Sequence, residues 1–224
     1  MTADEIIARL RSSANPANAA GMARYGISTA GTLGVPMPAL RALAREVGKD
    51  HRLAQALWDS GIHEARILAS LIDDPRRVTS RQMDRWIRDV DSWDVCDQLC
   101  QNLWRHTPMA FAKAARWSRS RPEFKRRAAF SLMAGLAVKS SAPDTEFAAF
   151  FPLILEAATD ERNLVKKAVN WALRQIGKRD AALHRQAIAV AEEVRKLNSP
   201  AARWIAADAL RELRGRAGAF GTMK

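Results

Sequence analysis

The chain has 224 residues, 36 Lys and Arg against 24 Asp and Glu, and a formal net charge of +12. With 48% hydrophobic and 27% charged residues it has the composition of a folded globular protein, and its length suits one domain, 1–224, that needs no metal or disulfide staple to complete a core. No apolar run approaches a membrane span and the N-terminus lacks a signal-peptide pattern, so a cytoplasmic protein without membrane association is expected.

Strand signals are almost absent, whereas apolar residues recur at intervals of three and four from end to end. In chain order the periodicity and its Gly, Pro, Ser and Asp punctuation predict helices near 3–13, 17–26, 37–48, 51–59, 63–73, 79–90, 93–106, 108–118, 122–138, 145–158, 162–178, 181–197 and 200–214. His63-Glu64 begins like a zinc HExxH motif, but Ile67 stands where the second histidine belongs, so an ordinary helix start is expected. In the helix that follows Val90, Asp91 or Ser92 can cap the N-terminus and Asp94 suits the positive end of the dipole. Trp93 and Asp97, four apart, share a face at the edge of the apolar arc. Such a carboxylate can be partly desolvated and still reach a ligand; equally, it can be a solvated or paired residue. Cys96 and Cys100 have a same-face helical spacing, which fits buried packing in a reducing compartment better than a metal site or a disulfide.

Farther along, Arg127 has Ser131 and Ala134 on its own side of a helix, which leaves a groove open to a phosphate; a surface salt bridge with Glu123 would use the same residue. At about 100° per residue, Lys178, Lys167 and Arg174 cluster within about 60° of Trp171, opposite Ala172, Val165, Ile176 and Val169. An indole among three cations fits a nucleic-acid surface, or else an indole covered by neighbouring helices with the cations snorkelling around it. Arg126-Arg127, Lys166-Lys167 and Ala202-Arg203-Trp204 each open a similar helix, at spacings of 40 and then 36 residues from Arg127 to Lys167 to Arg203. That period matches HEAT or armadillo helix pairs, the alternative being an irregular helical bundle. Residues 121–224 carry 19 basic and 11 acidic side chains, so the larger share of the excess lies in the C-terminal half.

These marks, in order, are Met22-Ala23-Arg24-Tyr25, Leu33-Gly34-Val35, Pro38 to Arg41, Leu57-Trp58-Asp59, Ser92-Trp93-Asp94 with Asp97, Arg127-Ala128-Ala129, and Lys167 through Trp171 to Arg174. Over nearly the whole chain they resemble the AlkD-like DNA alkylation repair family, HEAT-repeat glycosylases that excise alkylated purines. The resemblance implies an all-α fold of HEAT-like helix-pair repeats forming a curved solenoid with a concave basic face. It implies a monomer that acts on double-stranded DNA containing alkylated bases, with no cofactor or metal. The family's catalytic carboxylate falls on Asp97, its two sugar- and backbone-contacting tryptophans on Trp93 and Trp171, and its phosphate-facing arginine on Arg127. Tyr25 and Arg174 match further DNA contacts, and Lys167 and Lys178 join them on the basic face. Relatives without the carboxylate are not expected to catalyse the reaction; this chain retains it. The rival readings are a noncatalytic HEAT-repeat module that binds damaged or branched DNA and a protein-interaction scaffold, the latter leaving the cations around Trp171 unexplained.

Overall fold

A computed structural model describes residues 1–215. Among these residues every regular element is helical, and they fall into two compact units, Met1–Thr107 and a second beginning at Pro108. The first unit contains α1 (Ala3–Ser12), α2 (Pro16–Ala23), α3 (Met37–Val47), α4 (His51–Asp59), α5 (His63–Ile72), α6 (Ser80–Asp89) and α7 (Trp93–Gln98). The second contains α8 (Ala110–Trp117), α9 (Glu123–Lys139), α10 (Asp144–Ala148), α11 (Phe151–Ala157), α12 (Asn163–Ile176), α13 (Ala181–Lys196) and α14 (Pro200–Gly215).

Local chemistry sets several of the helix starts. Thr2 and Glu5 form a reciprocal capping box on α1, while Asp50, Thr79 and Asp180 accept from first-turn N–H groups of α4, α6 and α13. Two expected helices are interrupted. The segment 145–158 divides into α10 and α11 because Pro152 has no N–H to continue the ladder and its ring would clash with the preceding turn; it is accommodated in the first turn of α11. The segment 93–106 is α-helical only to Gln98, then widens into a π-turn over Leu99–Leu103 and tightens into a 3-10 turn over Trp104–His106. Leu99, Cys100, Leu103 and Trp104 all reach the core through this change of pitch.

The repeat is written in the polar contacts between helices. In the first unit, Trp58 Nε1 donates to Asp89 Oδ2 at 2.9 Å, His63 pairs with Asp94, and Asn102 donates to Ser70 Oγ, with separations of 31, 31 and 32 residues. In the second, Arg127 meets the Leu164 carbonyl at a separation of 37, while Asn170 meets Asp208 and Arg174 meets Glu212 at 38. On both partners of each contacting pair of helices the numbers rise together, so α4 runs parallel to α6, α5 to α7, α9 to α12 and α12 to α14. Counting α10 and α11 as one interrupted helix, helices next but one in sequence therefore stack side by side, the arrangement of helix-pair repeats. Within the stacks the cores are closely packed: the Trp58 and Trp86 rings lie parallel with centroids 4.3 Å apart, and α9 is buried almost all round from Arg127 to Ala137.

Candidate nucleic-acid interface and active site

In the first unit the site is built on α7 and on the chain between α2 and α3. Ser92 occupies the N-cap position of α7 without capping it. Its hydroxyl instead accepts the N–H of Ser28 at 2.9 Å. This ties the 26–36 loop to the start of α7, a use of Ser92 that the capping pattern does not suggest. Trp93 is half-buried and donates Nε1–H to the carbonyl of Tyr25 at 2.9 Å, which fixes the indole against the same loop. The Tyr25 ring itself is 75% exposed. One turn after Trp93, Asp97 is likewise half-buried, at the edge of the core face occupied by Val95, Cys96, Leu99 and Cys100.

The loop is held from beneath by Glu64. This carboxylate is 1% exposed, and its oxygens accept the backbone N–H groups of Leu33 at 2.9 Å, Gly34 at 2.6 Å and Val35 at 3.3 Å. Three backbone donors satisfy a buried charge that would otherwise be costly. Gly34 has φ +78°, and a Cβ there would stand 2.2 Å from the Asn15 carbonyl oxygen. Beside Glu64, the buried His63 ring bonds Asp94 Oδ2 through Nε2 at 2.8 Å, and the His63 backbone N–H donates to the Gly31 carbonyl. Burial pulls the His63 pKa down, but the hydrogen bond and charge of Asp94, with Glu64 and Asp91, outweigh it and hold the ring above its ordinary 6.5. The pair His63-Glu64, which reads in sequence as a plain helix start, is thus the support of the site. The signal available was a glutamate at the start of the third helix beyond a loop with three glycines, Gly26, Gly31 and Gly34, whose backbone donors needed an acceptor. A cavity of about 390 Å³ lies here, lined by Met22, Tyr25, Met37, His63, Glu64 and Asp94 among others. Among the described residues no group of three or more His, Cys, Asp or Glu is placed to hold a metal ion.

In the second unit the candidate residues lie on α9 and α12. Arg127 does not stand in an open groove: it is 6% exposed and donates Nη1–H to the Leu164 carbonyl at 2.7 Å. The small residues around it, Ala128, Ser131 and Ala134, let neighbouring helices close in. On α12, Trp171 is half-buried and Lys167 exposed, on the side away from Val165, Ala168, Val169 and Ala172, as the helical wheel requires. With its amide oriented to satisfy both donors, Gln175 accepts from Trp171 Nε1 at 3.1 Å and from Lys178 Nζ at 3.3 Å.

The cations of this face do not all stand bare. Arg174 bonds Glu212 at 2.5 Å and lies 3.4 Å from Asp208, and Lys178 bonds the other Glu212 oxygen at 2.7 Å. Burial would raise the Glu212 pKa, but Lys178 and Arg174 hold it below the usual carboxylate range, so it is ionised and both pairs are charge-assisted. The acids come from α14 and were invisible to a wheel drawn for α12 alone. The face therefore divides: its C-terminal end, at Arg174 and Lys178, is compensated, while its N-terminal end, at Lys167, carries outward positive charge. Trp93, Asp97 and Tyr25 belong to one unit; Arg127, Lys167, Trp171, Arg174 and Lys178 belong to the other.

A search of curated proteins gives no match. Among solved structures, the fold resembles, with 20% identity, a TM-score of 0.79 and 97% of each chain covered, a protein described as one of a new family related to the HEAT-like repeat DNA glycosylases with affinity for branched DNA structures. At that identity the likeness establishes the fold, an all-helical HEAT-like repeat. The model of the DNA alkylation repair enzyme family matches residues 6–213, and the chain belongs to that family.

Proposed function

We propose that this protein is a monofunctional DNA glycosylase that hydrolyses the N-glycosidic bond of N3- or N7-alkylated purines in duplex DNA. The observation that carries the reading is the half-buried Asp97 one helical turn from Trp93, on a short helix fixed by Ser92, Asp94 and the Trp93–Tyr25 bond. Alkylation at N3 or N7 makes the purine cationic and already a good leaving group, so the protein need supply little general acid. As the C1′–N bond breaks, its electron pair leaves with the purine and cancels that base's positive charge. The sugar is left as an oxocarbenium-like cation. Asp97 faces that charge as its counter-ion and orients a water, whose oxygen bonds C1′ and whose proton passes to the carboxylate and on to solvent. Trp93 presents an electron-rich ring face to the sugar; on the second unit, Trp171 and Lys167 meet DNA backbone.

Release of methylated purine from alkylated duplex DNA tests this. Wild type and Asp91→Asn, whose carboxylate is exposed on the preceding loop, are expected to release it, and Asp97→Asn to lose at least about 100-fold in rate, the lower range for a positioned acid–base group. No release by wild type, with duplex binding retained, would instead favour a noncatalytic DNA-binding module, a reading encouraged by the branched-DNA affinity described for the similar structure.

A further inference from the structure

The seven tryptophans sort by exposure into groups with different work. Trp58, Trp86, Trp104 and Trp117 are buried at 1% or less. Trp93 and Trp171 are half-buried at the positions discussed above. Trp204 is the odd one: it is 40% exposed, more than either, in the N-terminal half of α14. The parallel stacking of α12 on α14 places it one turn before the Asn170–Asp208 contact, and Lys166 Nζ lies 5.2 Å from its ring centroid. Arg203 beside it is exposed, as is Lys167. Glu161, held by the Ser199 hydroxyl and the Ala201 N–H, is an acid whose charge is felt by both Lys166 and Arg203. Two cations against this one carboxylate leave a positive local balance around the indole.

We propose that Trp204, with Lys166 and Arg203, is a stacking platform for an unpaired DNA base, the cations taking the phosphates that flank it. A chain that hides four of its indoles completely would gain apolar burial by hiding a fifth. A cation–π contact with Lys166 does not replace that burial. A nucleobase does: it has an apolar face for the ring and an anionic backbone for its neighbours. Ala202-Arg203, which leads into Trp204, is also the third copy of the helix opening that recurs at Arg126-Arg127 and Lys166-Lys167. In the first copy Arg127 is buried; in the third Arg203 and Trp204 face outward. Stacking requires a base with a free face, so the platform selects DNA that carries a single-stranded segment. The proposal rests on the DNA-binding reading of the α12–α14 face and is independent of any chemistry at Asp97.

Fluorescence anisotropy on two labelled DNAs tests it: a blunt duplex, and the same duplex ending in a fork with single-stranded oligo-dT arms. Wild type is expected to prefer the fork. Trp204→Ala is expected to reduce the fork-to-duplex preference roughly 5- to 150-fold, the range of base–aromatic stacking, and Trp204→Phe to restore it. Arg203→Ala is expected to flatten the salt dependence of fork binding by about one unit of log–log slope. Thermal melts of each variant show that the fold is retained. A wild type without fork preference, a Trp204→Ala protein with unchanged preference, or a loss that Phe does not restore would overturn the proposal. Purine release from the blunt duplex is scored separately, so failure of the glycosylase reading is distinguishable from failure of this one.

Discussion

At Asp94 and His63 two side chains that flank the proposed chemistry do structural work that titrates. A histidine held above its ordinary pKa contributes stability that is fully present below the unfolded value, 6.5, and is lost as pH rises through the folded value. Denaturant midpoints should therefore fall across a window that starts near 6.5 and extends above it. Asp94→Asn should lower the acidic limb and flatten the fall, since the hydrogen bond and charge that raise the ring go with it. A pH-independent difference between wild type and Asp94→Asn would show that His63 stays neutral in the fold. Arg127 is the second instructive residue. Its wheel position suggested an open cation, and its surroundings in the fold are those of a buried donor on a backbone carbonyl. Arg127→Ala should then cost about 2 kcal/mol of folding stability, as the loss of a charged hydrogen-bond partner does. Equilibrium unfolding measures this directly; an unchanged midpoint would mean that the guanidinium is dispensable to the fold and available to DNA.

Among the elements, all the expected helices can be located, because apolar periodicity and capping chemistry are local and the burial they demand is met. What was not legible is where a helix changes pitch or what covers it. Pro152 was in plain view as a breaker, yet the flanking Phe147, Phe150, Phe151 and Ile154 keep an unbroken apolar spacing across the break, and the periodicity masks it. The π-turn after Gln98 leaves no sequence mark, since it answers to the packing of Leu99, Cys100 and Leu103. The positions of Trp93, Asp97, Trp171 and Lys167 on partly exposed faces follow from one helix at a time, and those were readable. The burial of Arg127, the compensation of Arg174 and Lys178, and the anchoring role of Glu64 each depend on a neighbour about 30 to 38 residues away, and a wheel contains no such neighbour. Glu64 gives the sharpest test at this scale. Glu64→Gln keeps the shape but offers an amide N–H₂ to backbone donors that need an acceptor. It should lose about 2–3 kcal/mol of stability and loosen the loop on which Trp93 rests. Hydrogen exchange would show the Leu33, Gly34 and Val35 amides losing protection before the rest of the unit does. Uniform loss across the unit would mean that the carboxylate supports the core and not this loop.

For the molecule as a whole, the +12 excess is a poor measure of how much positive charge faces a polyanion. Binding to DNA releases roughly 0.9 counterion per phosphate neutralised, so the log–log salt slope counts the cations that reach phosphates. Arg174 and Lys178 add to the formal charge but share Glu212, and they can contribute fully to that slope only if DNA displaces an ion pair already made. Replacing Glu212 by Gln removes the competitor. Lys178 then has no carboxylate on it, while Arg174 keeps Asp208 at 3.4 Å. The expected gain is therefore about one unit of slope from Lys178, with tighter duplex binding at low salt and convergence with wild type at high salt. Asp208→Asn in addition should release Arg174 and bring the total gain to about two units. If neither substitution steepens the slope, Arg174 and Lys178 serve to bind α12 to α14 and the DNA-facing charge of this unit lies with Lys166, Lys167 and Arg203. That outcome would leave the platform at Trp204 as the electrostatic centre of the face, and would move the expected DNA path toward the N-terminal ends of α12 and α14.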